Sequence, residues 1–277
     1  MARFREFSVL PGFRLTFAVT LAWTSVLVVL PLCALAWRAS SLGFEDFFAK
    51  VTEARALSAF WLSIWASFVA ATVNVFVGLL TAWVLVRYPF PGRRIIDALV
   101  DLPFALPTAV SGIALTSLFA ERGTFGALLA PLGVKVAYTP IGIVIALVFI
   151  GLPFVVRTVQ PVLAELPLEL EEAAATLGAG RLRTFFSVVL PPLVPPLLTG
   201  FALAFGRALG EYGSIVFIAG NMPHRTEILP LLIVIELEEY DYAGATALGG
   251  TMLLLSFALL FVINALQSWS RRRAGAR

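Results

Sequence analysis

The sequence predicts an all-α membrane protein with six transmembrane helices. The 277-residue chain is 60% hydrophobic and 13% charged, whereas soluble globular chains carry roughly 25% charged residues. Its apolar residues gather in runs near or above about 20 residues, the length of a helix that crosses a bilayer. Such runs form helices because backbone polar groups inside lipid must be satisfied within the segment itself.

The six apolar runs follow one another without a Pro-, Gly- or Ser-rich linker that would separate two domains. They extend over about 17–37, 58–86, 95–119, 138–156, 193–219 and 243–269. We expect 1–57 to hold a cytoplasmic segment, the first transmembrane helix and an outer loop. A core of five helices is expected over 58–270, including a cytoplasmic loop at 157–191, and a basic cytoplasmic tail at 271–277.

Basic residues set the predicted topology. Thirteen of the 20 lie in the N-terminus, the 87–94 turn, the 157–191 loop and the C-terminal tail, whereas six lie in the opposite set of segments. Arg207 falls inside the fifth run. By the positive-inside rule, both termini and the 157–191 loop are cytoplasmic, and the acidic 221–242 segment is an outer loop.

The first run has features of both a signal peptide and a retained helix. Basic residues precede it, and Ala34-Leu35-Ala36 resembles a signal-peptidase site. The apolar region of a signal peptide is only about 7–15 residues long, and this run is longer. We therefore expect a retained transmembrane helix, with cleavage as the open alternative.

The third run contains two prolines followed by hydroxyl side chains. Pro103 and Pro107 should kink the helix and free backbone carbonyl groups. Thr108, directly after Pro107, and Ser111, one turn further on, add hydroxyl groups. Two interpretations remain open for this segment: ordinary helix packing, or a wall of a translocation path.

The 157–191 loop carries helix signals of its own. Gly178 and Gly180 are typical of a helix end. A second short helix over about 181–189 is expected to lead to Pro191-Pro192, which should restart the chain into the fifth run. The loop is thus predicted as a helix, a glycine bend and a second helix.

Two stripes run along the first of these loop helices, which Pro167 should open. The apolar stripe consists of Leu166, Leu170, Ala173 and Leu177, and the acidic stripe of Glu165, Glu169 and Glu172. Acidic residues near a helix N-terminus are stabilised by the helix dipole. The pattern alone fits a solvated amphipathic helix as well as a surface that contacts a partner.

The fifth run contains two opposite charges. Arg207 and Glu211 are four residues apart, so they can pair on one helix face. A charge in the middle of a bilayer costs at least about 2.5–3.5 kcal/mol. The pair is therefore either a structural ion pair between packed helices or part of a translocation path or gate.

Several kinds of active site are excluded by composition. The chain has two lysines, Lys50 and Lys135, and neither lies in the Gly-Lys-Ser/Thr sequence of a P-loop. Cys33 and His224 are each the only residue of their type, which excludes cysteine- or histidine-based metal clusters. We predict no catalytic residues, no metal site and no cofactor in this chain.

The loop resembles the EAA loop of bacterial ATP-binding-cassette importer permeases. The matching residues are Glu172, Ala173, Ala174, Gly178, Leu190 and Pro191, with Val188 where isoleucine is usual. In that family the loop forms a coupling helix seated in a cleft of the ATPase subunit. The resemblance implies a type I importer permease fold, a second permease subunit, and two ATPase subunits that bind the ATP and Mg.

Two further passages resemble the sulfate/thiosulfate permeases of the T-subunit type. They cover 102–112 in the third run and 205–213 in the fifth. Molybdate permeases share both passages, so a molybdate or tungstate importer remains the alternative. An ion-driven carrier is a distant one, because it would need unpaired acidic residues in the membrane.

The resemblance also implies a location and partners for the chain. It implies the bacterial inner membrane and an extracytoplasmic sulfate-binding protein. Arg271–Arg273 are expected to contact anionic lipids, and nucleic-acid binding is not expected. The residues predicted to line the translocation path or gate are Pro103, Pro107, Thr108, Ser111, Arg207 and Glu211.

Overall fold

The computed structural model describes the backbone of residues 13–274 and, within it, the side chains of 13, 15–259, 261–263 and 265. All regular structure in this part is helical. The elements are α1 (Phe13–Thr24), a π-helical turn (Ser25–Val29), α2 (Leu30–Ser41), α3 (Phe44–Val51), α4 (Ala54–Arg87), α5 (Arg93–Val100), α6 (Leu102–Ala105), α7 (Thr108–Phe119), α8 (Thr124–Leu129), a 3₁₀ turn (Ala130–Leu132), α9 (Pro140–Glu165), α10 (Glu169–Thr176), α11 (Arg181–Thr184), a second π-helical turn (Phe185–Val189), α12 (Leu190–Leu209), α13 (Ile215–Ile218), α14 (Leu229–Glu238) and α15 (Tyr242–Ala274).

Five helical stretches within residues 13–274 are long and apolar enough to cross a membrane. They are Leu15–Ser41, Ala54–Arg87, Pro140–Glu165, Arg181–Leu209 and Tyr242–Ile263. They correspond to the first, second, fourth, fifth and sixth predicted runs. The basic side chains of the 271–277 tail lie outside the described residues.

The third run is not one continuous helix. It divides into α5, α6 and α7, and the chain is extended at Leu106, where φ is −84° and ψ is 135°. The α conformation is disfavoured for a residue that precedes proline, so Pro107 accounts for the break before α7. The sequence predicted a kinked helix at this point, and the prediction was wrong because the helix is interrupted.

Helices α4, α9 and α12 form the core of the molecule. Small residues allow these helices to approach closely. A Cβ atom added at Gly78 of α4 would lie 2.7 Å from Val155 Cγ1, and one at Gly200 of α12 would lie 2.8 Å from Val155 Cα. Val155 of α9 therefore occupies a groove that glycines open on both neighbouring helices.

The boundaries of two predicted segments differ from the structure. The chain is helical from Arg181 to Leu209 without the expected restart at Pro191-Pro192. A π-helical turn precedes these prolines, and the Leu190 N–H bonds to Phe185 O, five residues back. We attribute the continuity to this wider turn, because proline lacks the N–H of the regular ladder.

The predicted outer loop at 221–242 also contains a helix, α14, that the pattern of charges did not indicate. Its acidic residues suggested a solvated loop, but Leu229, Leu231 and Leu232 of α14 are buried. Leu229 and Leu232 belong to the same cluster as Ala59 and Phe60 near the start of α4. The second half of the fifth run, beyond Leu209, is likewise not part of the long helix.

Candidate functional site

The helix predicted for the 157–191 loop is α10. It begins at Glu169, two residues after Pro167, and three acidic residues occupy its first turn. Gly178 has a φ of +79°, which favours glycine. The Gly178 and Ala179 N–H groups donate to Ala175 O and Ala174 O at 2.9 and 3.0 Å. The predicted glycine bend is therefore present.

The predicted coupling residues of α10 lie mostly on its exposed side. Glu172, Ala173 and Gly178 are exposed, whereas Ala174 is half-buried. Leu170 is 46% and Leu177 88% exposed, so the part of the apolar stripe that lies beyond Leu166 does not pack on the rest of the chain. Exposed apolar side chains that cluster on a loop are typical of a surface that contacts a partner.

The remaining predicted coupling residues lie at the base of α12. Leu190 is the first residue of α12 and is half-buried, and Pro191 follows it and is exposed. They are separated from α10 by the Gly178 bend and the π-helical turn. Their position indicates a role in the geometry of the helix entry rather than in the exposed surface of α10.

The inner side of α10 is held by an ion pair that sequence reasoning missed. Glu171 Oε1 accepts a hydrogen bond from Arg87 Nη2 at 2.8 Å. Arg87 is the last residue of α4, and its guanidinium carbon lies 5.7 Å from the centre of the Trp83 ring. The only sequence signals were Arg87 at the end of an apolar run and Glu171 next to the residues that match the EAA loop.

The segments that carry the predicted path residues of the third and fifth runs meet in the structure. A Cβ atom added at Gly213 would lie 2.2 Å from Thr108 Oγ1, and one at Gly112 would lie 2.4 Å from Ser214 O. Ser111 is buried in the first turn of α7. The start of α7, which follows Pro107, thus contacts the segment that follows α12; Pro103 lies just before it, in α6.

Arg207 and Glu211 form the predicted ion pair, with Arg207 Nη1 2.7 Å from Glu211 Oε2. Glu211 lies just after the end of α12 rather than on it, because Gly210 ends the helix. The Glu211 side chain is 2% exposed, and its Oε1 also accepts from the Ser214 N–H and Oγ, both at 2.9 Å. Glu211 is therefore well partnered.

The Arg207 side chain, in contrast, is 37% exposed. A Cβ atom added at Gly206 or Gly210 would meet no heavy atom within 4 Å, so the surface beside Arg207 is open. One side of its guanidinium is engaged by a buried carboxylate while the rest is accessible. An arginine that is only partly neutralised by a carboxylate can still bind an anion.

Comparison with known proteins decides the family. The family described as "Binding-protein-dependent transport system inner membrane component" matches residues 74–275. The chain belongs to this family. It is 49% identical over 265 residues to the sulfate transport system permease protein CysT of Salmonella typhimurium, covering 96% of each chain, and 48% identical, with the same coverage, to CysT of Escherichia coli K12.

Solved structures of transporters share the fold of this inner membrane component. A chain of a bacterial ABC transporter that imports the polysaccharide alginate superposes with a TM-score of 0.76 at 17% identity, over 94% of this chain and 95% of that one. A chain of the MetNI methionine ABC transporter superposes with a TM-score of 0.58 over 77% of this chain. The predicted importer permease fold is therefore confirmed.

A second cluster of charges joins two helices of this transport component. Arg157 of α9 bonds to Asp101 through Nη2 and to Asp97 through Nη1, both at 2.6 Å. It also bonds to the Asp97 backbone carbonyl at 2.8 Å. These contacts fix α5 against α9. The sequence signal was a pair of acids four residues apart within an apolar run.

A large cavity of about 1150 Å³ opens among the loops at the predicted outer side. Its walls come from 119–122, 133–139 and Met222, and include Glu121, Arg122 and Lys135. Among the side chains that the structure describes, no group of three or more His, Cys, Asp or Glu is arranged to hold a metal ion.

Proposed function

We propose that this chain is a membrane subunit of an ATP-driven importer that carries sulfate or thiosulfate into the bacterial cytoplasm. The observation that carries the proposal is the 49% identity to a sulfate transport system permease over 96% of both chains. The broken third run and the exposed α10 fit the same function. Molybdate or tungstate is the second candidate, because it is a tetrahedral dianion like sulfate and its permeases resemble this chain in the same two passages.

The exposed side of α10 is the proposed contact with the ATPase. Glu172, Ala173 and Leu177 lie on this side, and the small alanine permits close approach of another surface. ATP and Mg are bound by two ATPase subunits in this proposal. Closure of the ATPase pair on ATP displaces α10, the helices rock to open outward, and hydrolysis returns the pore to its inward-open state.

Arg207 is the proposed anion contact of the translocation path. Its side chain is 37% exposed and its guanidinium pairs with Glu211, and an added Cβ atom at Gly206 or Gly210 would meet no heavy atom within 4 Å. The carboxylate offsets part of the positive charge, which keeps the attraction to a dianion weak enough for release. Thr108 and Ser111 at the start of α7, between Pro107 and the Glu211 segment, would form the adjoining wall.

The remaining partners follow from the surfaces that stay open. A second permease subunit, a paralogue of this one, would face the open side of α12 and complete the path. The cavity at the outer loops would receive the extracytoplasmic sulfate-binding protein. Both termini and α10 would then lie in the cytoplasm, as the distribution of basic residues indicates.

Uptake of radiolabelled sulfate tests this proposal. The chain is expressed with its partner subunits in cells that lack their own sulfate importers. We expect energy-dependent sulfate uptake that excess thiosulfate inhibits and excess molybdate does not. Uptake of labelled molybdate without uptake of sulfate would support the second candidate and contradict the first.

A further inference from the structure

The attachment of α10 to the rest of the chain depends little on apolar packing. Leu170 is 46% and Leu177 88% exposed, and the apolar packing in this region is that of Leu166, which precedes α10. A cavity of about 330 Å³ lies on its inner side, between Glu171 and Ala175 of α10 and the rings of Trp83 and Phe185. The helix is therefore not seated tightly on the helices behind it.

The contact between Arg87 and Glu171 bridges this gap. The Arg87 side chain is 11% exposed and the Glu171 side chain 25% exposed, so their pair is partly shielded from water. The Coulomb attraction between two charges is stronger in such surroundings than on an open surface, and salt screens it less. In the part of the chain that the structure describes, this is the charged contact that joins α10 to a membrane-crossing helix.

Arg87 is itself held in place by groups other than Glu171. Its Nη2 also donates to Leu166 O at 3.3 Å, and its guanidinium lies over the Trp83 ring. A cation over a tryptophan ring is stabilised by the charge distribution of the ring. The arginine is therefore preorganised at the end of α4 to receive the carboxylate of α10.

Helix α4 leads from this contact into the core. Arg87 is its last residue, and Leu85 and Ala82, one turn back, belong to the buried cluster shared with α9 and α12. When α10 moves, the ion pair would thus pull on the end of α4, which is 34 residues long. The covalent link from α10 to α12 passes through the Gly178 bend, α11 and a π-helical turn.

We propose that the Arg87–Glu171 pair transmits the movement of α10 to α4, and we call this pair the latch. Arg87 acts in it as a positioning residue. The latch rests on the proposed function, because it requires that an ATPase moves α10. In this proposal the movement of α10 reaches the core through α4, the second transmembrane helix, as well as through the chain that follows the loop.

The test uses the complete transporter, reconstituted in proteoliposomes with its partner subunits, and measures sulfate taken up per ATP hydrolysed. Glu171→Ala and Arg87→Gln should each lower this ratio by about tenfold, the scale of a typical coupling between sites, while ATP hydrolysis continues. Glu45→Ala is the control, since Glu45 is an exposed acid of α3 and lies outside the coupling loop. It should leave the ratio unchanged.

Two further variants separate a latch from a merely structural contact. Arg87→Lys keeps the charge and should retain most of the coupling ratio. The exchange Arg87→Glu with Glu171→Lys should recover much of what Glu171→Lys alone loses. If Arg87→Gln fails to assemble, Glu171→Ala decides the question alone, because its side chain is partly exposed and alanine favours a helix.

The outcomes distinguish failure of the latch from failure of the proposed function. An unchanged ratio in Glu171→Ala, with a lowered ratio in Glu172→Lys, overturns the latch and leaves the coupling surface standing. An unchanged ratio in Glu172→Lys as well overturns the assignment of α10 as the ATPase contact. Loss of coupling in Glu171→Ala without any recovery by the charge exchange also overturns the latch.

Discussion

At the scale of single residues, buried charges distinguish this chain from a simple bundle of apolar helices. Glu211 is buried and satisfied by Arg207, the Ser214 N–H and the Ser214 hydroxyl. Removing one partner of such a group leaves a charged atom without its bond, which costs more than the bond contributes when formed. The Arg207–Glu211 pair therefore affects stability as well as any contact with an anion.

Replacement of Arg207 by glutamine should destabilise the protein and reduce sulfate uptake. We expect a loss of about 1–3 kcal/mol in the free energy of unfolding, because Glu211 loses its cation. Thermal unfolding of the purified complex measures the change. The double variant Arg207→Gln, Glu211→Gln should recover part of the stability but not the uptake. Full stability and full uptake in Arg207→Gln would show that the pair has neither role.

The sequence predicted some of these charges and not others, for a physical reason. The Arg207–Glu211 pair was predictable because its partners are four residues apart. Arg87–Glu171 and Arg157–Asp101 join residues 84 and 56 positions apart, and although the charges themselves stand out in the sequence, their spacing does not show which of them pair. The position of Glu211 beyond the helix end was also missed, since the apolar run continues past Gly210 to about residue 219.

At the scale of elements, close approach between helices depends on a few glycines. A Cβ atom at Gly200 would lie 2.6 Å from Thr158 Oγ1, so α9 and α12 would have to separate. Gly206, on the same helix, has no heavy atom within 4 Å of the added carbon. The two positions therefore form a matched pair for testing the packing of the core.

Gly200→Ala should destabilise the protein, whereas Gly206→Ala should not. Overpacking in a core typically costs about 1–3 kcal/mol, and alanine in an open helical position is favoured over glycine by roughly 0.5–1 kcal/mol. The melting temperature of the purified subunit in detergent measures both. Equal melting temperatures for the two variants would contradict the close α9–α12 contact.

The short helix α3 is joined to α15 by charge. Lys50 Nζ bonds to Asp241, whose other oxygen accepts the Gly244 N–H at 2.9 Å. The Gly244 N–H and Lys50 lower the pKa of Asp241, and the hydrogen bond to Asp241 raises the pKa of Lys50. The stabilisation from Asp241 is thus lost only as pH falls below about 4, and that from Lys50 only as pH rises above about 10.

Asp241→Asn should loosen α3 while keeping the cap of α15, because asparagine also caps helices. We expect the hydrogen-exchange protection of Phe44–Val51 to fall about twofold at pH 7, which is the scale of an exposed ion pair. Protection in the unmodified protein should be constant from about pH 5 to 9, between the two pKa values. The exposed Glu238→Gln serves as a control. Equal protection in Asp241→Asn and Glu238→Gln would contradict the attachment.

Breaks in elements were harder to predict than the elements themselves. The long helices follow from hydropathy, because a run of apolar residues has no other way to satisfy its backbone in lipid. The interruption at Leu106 and the continuity through Pro191 depend on local backbone geometry, in which one proline breaks a helix and another follows a π-helical turn. Both segments were rich in proline, and the sequence alone did not distinguish them.

At the scale of the whole molecule, the chain places its open surfaces at separate positions. The exposed side of α10 lies on one predicted side of the membrane and the cavity near Lys135 on the other. Arg207 lies in the helix between them, with open space beside it. This separation fits the proposed function, in which the ATPase acts on one side of the membrane and the anion is delivered on the other.

Measurement of sulfate uptake and ATP hydrolysis together, in proteoliposomes that contain the complete transporter, tests the central claim most directly. Glu172→Lys places the wrong charge on the exposed side of α10, and Gly178→Asp disturbs the bend that ends it. We predict that both variants fold and insert, and that both lose most of the uptake supported by each hydrolysed ATP. Normal uptake per ATP in both variants would contradict the assignment of α10 as the coupling helix.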